Sequence, residues 1–94
     1  MPDIVRKAFG YHIYFWSNEG DPVEPIHFHI SEEPHKNATK YWILSDGSIA
    51  QENNNDNIPA NDLKRVIRYM SLKRNIARAK EKWLEHFGEL TYIR

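Results

Sequence analysis

The chain has 94 residues, enough for one domain with one hydrophobic core. Of these residues, 40% are hydrophobic, 13% aromatic and 28% charged, a composition that excludes wholesale disorder. The absence of cysteine excludes disulfides, thiolate zinc sites and cysteine nucleophiles, so histidine and carboxylate side chains must hold any metal. The four glycines lie too far apart to form a phosphate-binding loop or a dinucleotide fingerprint.

The apolar runs are too short for a membrane span. The longest, residues 13–16, is far below the roughly 20 residues that cross a bilayer. The opening residues Met1, Pro2 and Asp3 do not resemble the start of a signal peptide. We therefore predict a cytoplasmic protein that makes no membrane contact.

Charge is segregated along the chain, although the formal net charge is zero. Residues 17–56 contain eight acidic and two basic residues, a net charge of −6. Residues 60–82 contain eight basic and two acidic residues, a net charge of +6. The chain thus has an acidic half and a basic half, which attract each other, and its neutral total is not typical of a dedicated nucleic-acid binder.

The acidic half predicts an antiparallel β-meander. Four segments are rich in β-branched and aromatic residues and end at turn-forming residues, namely 4–8, 11–16, 26–32 and 38–44. Residues 48–51 indicate a short return strand after the turn that contains Gly47.

The hydrophobic period changes after residues 53–58, a polar segment that we predict to be a mobile loop between a sheet half, 1–52, and a helical half, 59–88. The helical half contains two apolar sets whose directions differ by roughly 130°, so one straight helix cannot bury both. The sets are Leu63, Val66, Ile67 and Met70, followed by Ile76, Trp83, Leu84 and Phe87.

Two helices are therefore predicted, and they meet around residues 69–72. Ser71 is the candidate N-cap of the second helix and Gly88 its candidate C-terminal stop. The predicted fold is a single α+β domain, in which an antiparallel sheet of three to five strands carries the two C-terminal helices on one face.

Strand alternation divides the aromatic and histidine side chains between the two faces of the sheet. Ile13 and Phe28 belong to the apolar sets expected beneath the helices, and their chain neighbours project the other way. We therefore predict a ligand or partner surface on the opposite sheet face, formed by His12, Tyr14, Trp16, His27 and His29.

His27 and His29 are the residues of this surface that could carry chemistry. On one strand they project in parallel, about 6.5–7 Å apart, which suits a ligand pair for a divalent metal. A metal centre needs at least one more protein ligand, and the candidates are His12, Glu24, Glu32 and His35. The pair could also act as general acid and base, or remain an unligated polar pair on a wet face.

Stacking is a further use of the same face. Tyr14 and Trp16, with Tyr41 or Trp42, would form a platform beside the imidazoles for nucleic-acid bases or another planar ligand. The alternative is that some of these aromatic side chains belong to the core, as we expect for Trp83 and Phe87.

The helical half presents two rows of basic side chains opposite its apolar sets. Each row is the solvated face of its helix and could follow a phosphate backbone or meet an acidic partner. The rows are Lys64, Arg65 and Arg68 on the first helix, and Arg74, Arg78 and Lys82 on the second.

Several segments together resemble the small bacterial family known as domain of unknown function 4160. They are Met1-Pro2-x-Ile4, Gly10 before an aromatic strand, Ser17-Asn18-Glu19, residues 24–30 with the sequence EPIHFHI, and Leu63, Trp83 and Phe87 in the helical part. The Pro-His-x-His segment is the most specific, although members usually have a second proline where this chain has Ile26. The resemblance marks His27 and His29 as signature positions without a role. It also implies a small protein partner from a neighbouring gene, an arrangement similar to toxin–antitoxin pairs.

Two functional hypotheses follow. The leading one is a protein-binding module of a toxin–antitoxin-like pair, with a regulatory or nucleic-acid role, and it assigns no catalytic residue. The alternative is a small metal-assisted hydrolase that acts on RNA, with His27 and His29 at its centre. The cofactor that this alternative implies is a divalent metal at this pair.

Overall fold

The structure is a computed structural model and describes residues 2–17 and 23–93. It confirms the predicted α+β fold, a five-stranded antiparallel sheet in the order β1-β2-β3-β4-β5 followed by two helices. Neither helix is long and apolar enough to span a membrane, a finding limited to the described residues. The elements are β1 (Asp3–Ala8), β2 (Tyr11–Tyr14), β3 (His27–Ser31), β4 (Thr39–Ile43), β5 (Ile49–Asn53), α1 (Ala60–Met70) and α2 (Lys73–Phe87).

The turn between β1 and β2 displays an aromatic ring. Phe9 and Gly10 both have positive φ, 55° and 90°. This conformation suits glycine but costs a residue with a bulky side chain on the order of 1–3 kcal/mol. The Phe9 side chain is 54% exposed, so little burial in this chain offsets that cost.

One hydrophobic cluster joins the sheet to both helices. On the sheet side Ile13, Phe28 and Ile30 have no exposed surface and belong to this cluster. The helices contribute Val66 and Met70 from α1, and Ile76, Ala79 and Trp83 from α2. Both apolar sets predicted for the helical half therefore contribute residues to this core.

The helices meet where predicted, but Ser71 does not cap α2. Its Oγ donates a hydrogen bond of 2.7 Å to the carbonyl of Ile67 and thus belongs to the end of α1. Leu72 occupies the N-cap position of α2 and makes no side-chain capping bond. Gly88 is confirmed as the stop, since it has φ 71° and its N–H donates to the carbonyl of Leu84.

Leu84 was wrongly placed in the second apolar set, because its side chain is 46% exposed. The stripe of α2 that reaches the core is Ile76, Ala79 and Trp83, spaced i, i+3, i+7. A helix turns about 100° per residue, so the residue after Trp83 points away from that stripe.

The polar segment that precedes α1 is tied to the sheet by side-chain bonds. The amide of Asn54 accepts from the N–H of Ile58 and donates to its carbonyl, while Asp56 accepts from the N–H of Thr39. Ile58 is itself buried, and Asn53 belongs to β5. The composition of the segment does not reveal these hydrogen bonds. The mobility of the segment stays a prediction.

The buried tyrosines predict a loss of stability in alkali. Burial, with a 2.8 Å hydrogen bond to Asp62, raises the pKa of Tyr11 to about 12, and burial also raises the pKa of Tyr14 and Tyr41. Unfolded tyrosines lose their protons near pH 10, so above that pH the unfolded state binds fewer protons than the folded one. We expect the free energy of unfolding to be constant from pH 8 to 9.5 and to fall between pH 10 and 12, measured by urea titration. A Tyr11→Phe variant should show a shallower fall, and an unchanged profile would contradict this assignment.

Candidate functional site

Strands β2, β3 and β4 carry the predicted sheet surface. In the antiparallel register Tyr14 lies opposite His29, and His27 lies opposite Trp42. The ring centroid of Tyr14 is 5.7 Å from that of His29 and 5.4 Å from that of Trp16. Adjacent strands thus bring these aromatic and histidine side chains together on one face.

This face is less open than the sequence indicated. Tyr14 and His27 have no exposed surface and His29 is only 5% exposed, whereas His12 and Trp16 are half-buried. The expectation of one continuous wet surface formed by all five residues is therefore corrected. The physical reason is that Trp42 and Trp83 cover His27, while Tyr14 packs against Trp16 and His29 within the set itself.

Tyr14 anchors the turn after β3. Its hydroxyl oxygen lies 2.9 Å from the Ser31 hydroxyl and accepts from the N–H of His35 at 3.2 Å. Burial raises the pKa of this phenol despite these bonds. Tyr14 is thus a buried structural residue of this face and has no exposed surface for a ligand.

His27 is packed between two tryptophans. Its ring centroid is 5.6 Å from that of Trp42 and 5.2 Å from that of Trp83, a residue of α2. Its Nδ1 donates to the carbonyl of Pro25 at 3.0 Å, because a carbonyl oxygen can only accept. His27 therefore links the start of the central strand β3 to the helical half.

His29 borders a cavity of about 550 Å³, which we call the sheet cavity. One wall carries the indole of Trp16, and the other residues come from the turn before β4, from β4 itself and from the end of β5. His29 is held in place by a hydrogen bond from Nδ1 to the carbonyl of Ala38, at 3.3 Å. The remaining lining residues are Lys36, Asn37, Ala38, Lys40, Asn53 and Asn55.

The sheet cavity is basic although it lies in the acidic half. Lys36 and Lys40 are the only two basic residues between positions 17 and 56, and both line it. None of the described lining residues is acidic. Lys40 is oriented by Glu24, 3.2 Å from its Nζ, and by the ring of Trp42, 4.4 Å away. The fold therefore places both lysines of the acidic half beside the sheet cavity.

The histidine pair is close enough for mutual contact, with ring centroids 5.2 Å apart. Across residues 2–17 and 23–93, no group of three or more histidine, aspartate and glutamate side chains is arranged to hold a metal ion. His35 instead pairs with Asp56, whose oxygen lies 2.5 Å from Nε2.

The helices present the predicted basic side chains, of which Lys82 is half-buried and the other five are exposed. Two of them border a shallow groove of about 420 Å³ together with three apolar side chains. We call these five residues the docking patch: Phe9, Arg65, Arg68, Tyr69 and Leu72. The Phe9 ring lies edge-on to that of Tyr69, with centroids 6.1 Å apart.

Sequence reasoning did not identify Phe9 and Leu72, or the cavity lysines, as candidate site residues. Each pair has a feature in the sequence that could have identified it. Phe9 and Leu72 are large apolar residues in predicted turns, and Lys36 and Lys40 are isolated bases in an acidic segment. Their convergence with Trp16 and Tyr69 depends on tertiary contacts that no local pattern contains.

Comparison with known proteins gives one match. The family model described as domain of unknown function, DUF4160, matches residues 10–84. No curated protein and no solved structure matches the chain.

Proposed function

We propose, from the premise that this chain belongs to the DUF4160 family, that it is a protein-binding module whose docking patch recognises a partner segment containing acidic and apolar side chains. The partner would be a small protein from a neighbouring gene, in a cytoplasmic pair of the toxin–antitoxin type with a regulatory role. The observation that carries the proposal is the clustering of exposed apolar side chains and exposed arginines in one patch.

The apolar part of the docking patch is unusual for a surface. The structure has three exposed large hydrophobic residues among those it describes, and two of them, Phe9 at 54% and Leu72 at 40%, lie in this patch. Phe9 also has a positive φ of 55°, a backbone conformation that is costly for a residue other than glycine. Exposed apolar clusters bordered by polar residues are typical of protein interfaces.

The charge of the patch indicates the chemistry of the partner. Arg65 and Arg68 are exposed and form no ion pair with any described residue. Together with Tyr69 they supply the residue types that most often contribute strongly to protein–protein binding. An acidic side chain beside an apolar one on the partner would complement this arrangement.

A second groove shares Arg68 with the docking patch and extends the binding surface onto the neighbouring side of α1. It has a volume of about 450 Å³ and is lined by Leu63 and Ile67 of the helix and by Tyr41 of the sheet. The extension gives a partner helix or strand more apolar area along α1, as a stable interface requires.

A protein explains the patch better than a nucleic acid does. Phosphate contacts need basic side chains but gain nothing from burying Phe9 and Leu72. The formal net charge of zero also provides no general attraction for a polyanion. A role on nucleic acid would therefore be exerted through the partner.

Co-expression with the protein encoded by the adjacent gene tests the proposal. We expect the two proteins to co-purify, and the double variant Arg65→Glu/Arg68→Glu to weaken the complex by about a hundredfold, measured by calorimetric titration. Leu72→Asp should weaken it by about tenfold or more.

The matched control is Arg74→Glu/Arg78→Glu, which makes the same charge change on exposed residues of α2. It should leave the dissociation constant within about twofold. Loss of binding in the α2 variant alone would overturn the assignment to the docking patch. Self-association of the chain in place of a complex would overturn the proposed partner.

The alternative function, a metal-assisted hydrolase acting on RNA, has less support. A general acid or base must reach the proton that it transfers, and His27 is fully covered by neighbouring rings. His29 is the member of the pair that borders a cavity.

A further inference from the structure

We propose that the sheet cavity is a binding site for a small planar anion of the nucleoside monophosphate class. The site is separate from the docking patch, since the two share no residue. The inference rests on the charge, the aromatic wall and the size of the cavity.

The charge of the cavity selects an anion. Both bases of the acidic half line it, while none of the eight acidic residues of that half appears among the described lining residues. Lys36 is exposed and has no ion pair with a described residue, so its ammonium is available to a ligand. Lys40 is held by the ring of Trp42 and by Glu24, whose carboxylate compensates its charge, so Lys36 supplies the main positive charge for a ligand.

The aromatic wall selects a flat ring. Trp16 is half-buried. The ring of Tyr14 packs edge-on against the indole, with an angle of 80° between the two ring planes, and this contact limits the movement of the indole. A preset indole face is the surface on which nucleobases stack, at a gain of about tenfold or more in affinity for each base. The indole Nε1 is buried without a hydrogen-bond partner among the described residues.

The amides of the cavity suit a base edge. Asn37, Asn53 and Asn55 offer both donors and acceptors, which match the mixed pattern of a nucleobase. A volume of about 550 Å³ is within the range of pockets that hold small ligands. A ring on Trp16 and a phosphate between the lysines would thus fill the cavity with complementary groups.

Calorimetric titration of the purified full chain with AMP, GMP, CMP and UMP tests the inference. At least one nucleotide should bind saturably at a 1:1 ratio, about tenfold more tightly than its uncharged nucleoside and than inorganic phosphate. Equal affinity for phosphate alone would overturn the aromatic part of the proposal, and equal affinity for the nucleoside would overturn the anionic part.

Variants locate the binding. Lys36→Glu should weaken the nucleotide complex by about tenfold or more, while Lys64→Glu, the same change on exposed α1, should have no effect. Trp16→Leu should reduce nucleotide affinity without changing phosphate affinity. If this variant fails to fold, the nucleotide affinity of Lys36→Gln, compared with that of the unchanged chain, decides the test. Absence of saturable binding by all four nucleotides, equal loss in both lysine variants, or binding only to oligoribonucleotides would overturn the inference.

Discussion

Trp83→Ala is expected to lower the free energy of unfolding by about 3–5 kcal/mol, the usual cost of removing a large buried aromatic side chain. Trp83 has no exposed surface. Its ring lies 4.5 Å from Phe87, 5.0 Å from Phe15 and 5.2 Å from His27, measured between centroids. It thus joins α2 to Phe15, which directly follows β2, and to the start of β3.

Urea unfolding followed by circular dichroism measures this loss. In a domain of this size, each kcal/mol also lowers the melting temperature by about 4–8 °C. The adjacent variant Leu84→Ala is the control, because Leu84 is exposed on the same turn of α2, and it should change stability by less than about 1 kcal/mol. Equal stability of the two variants would show that α2 does not pack through Trp83.

The same contact bears on the signature histidines. The ring of His27 lies against Trp83, whereas His29 borders the sheet cavity. In the tertiary structure His27 therefore holds the sheet to α2, whereas His29 faces a candidate ligand site. A loss of partner binding in His27→Ala would have to be compared with its loss of stability before a direct role is assigned.

Asn54→Ala is expected to lower the free energy of unfolding by about 1–3 kcal/mol. The amide oxygen of Asn54 accepts from the N–H of Ile58 at 3.0 Å and from the Thr39 hydroxyl at 2.9 Å. Its amide nitrogen donates to the carbonyl of Ile58 at 3.1 Å. The substitution removes all three bonds and leaves polar backbone groups of the buried Ile58 without their partners.

Asn55→Ala is the matched control, because it removes the same side chain one position along the chain and none of these bonds. It should change the urea midpoint little. Amide hydrogen exchange of residues 54–58 gives a second measurement, since Asn54→Ala should speed the exchange of Ile58 by about tenfold or more. Equal exchange in the two variants would contradict the anchoring role of Asn54.

Local patterns were enough to predict the elements of the fold. The first four strands are marked by β-branched and aromatic residues, β5 by the turn before it, and the helices by the change of period after residue 58. The rotation between the two apolar sets predicted two helices, because the direction of a side chain on a helix depends only on its position. Leu84 and Ser71 were misassigned because neighbouring positions compete for the same role, and packing decides between them.

The sequence by itself determined the meander, the helix pair and the projection of His27 and His29 opposite to Phe28, because a strand has a period of two whatever its surroundings. Only the tertiary structure decided which projecting side chains meet solvent. Trp83 and Trp42 cover His27, and the chain brings Lys36, Lys40 and Trp16 to one cavity and Phe9 to Tyr69 and Leu72. These contacts join residues far apart in the chain, and burial depends on what packs against a residue rather than on its neighbours in sequence.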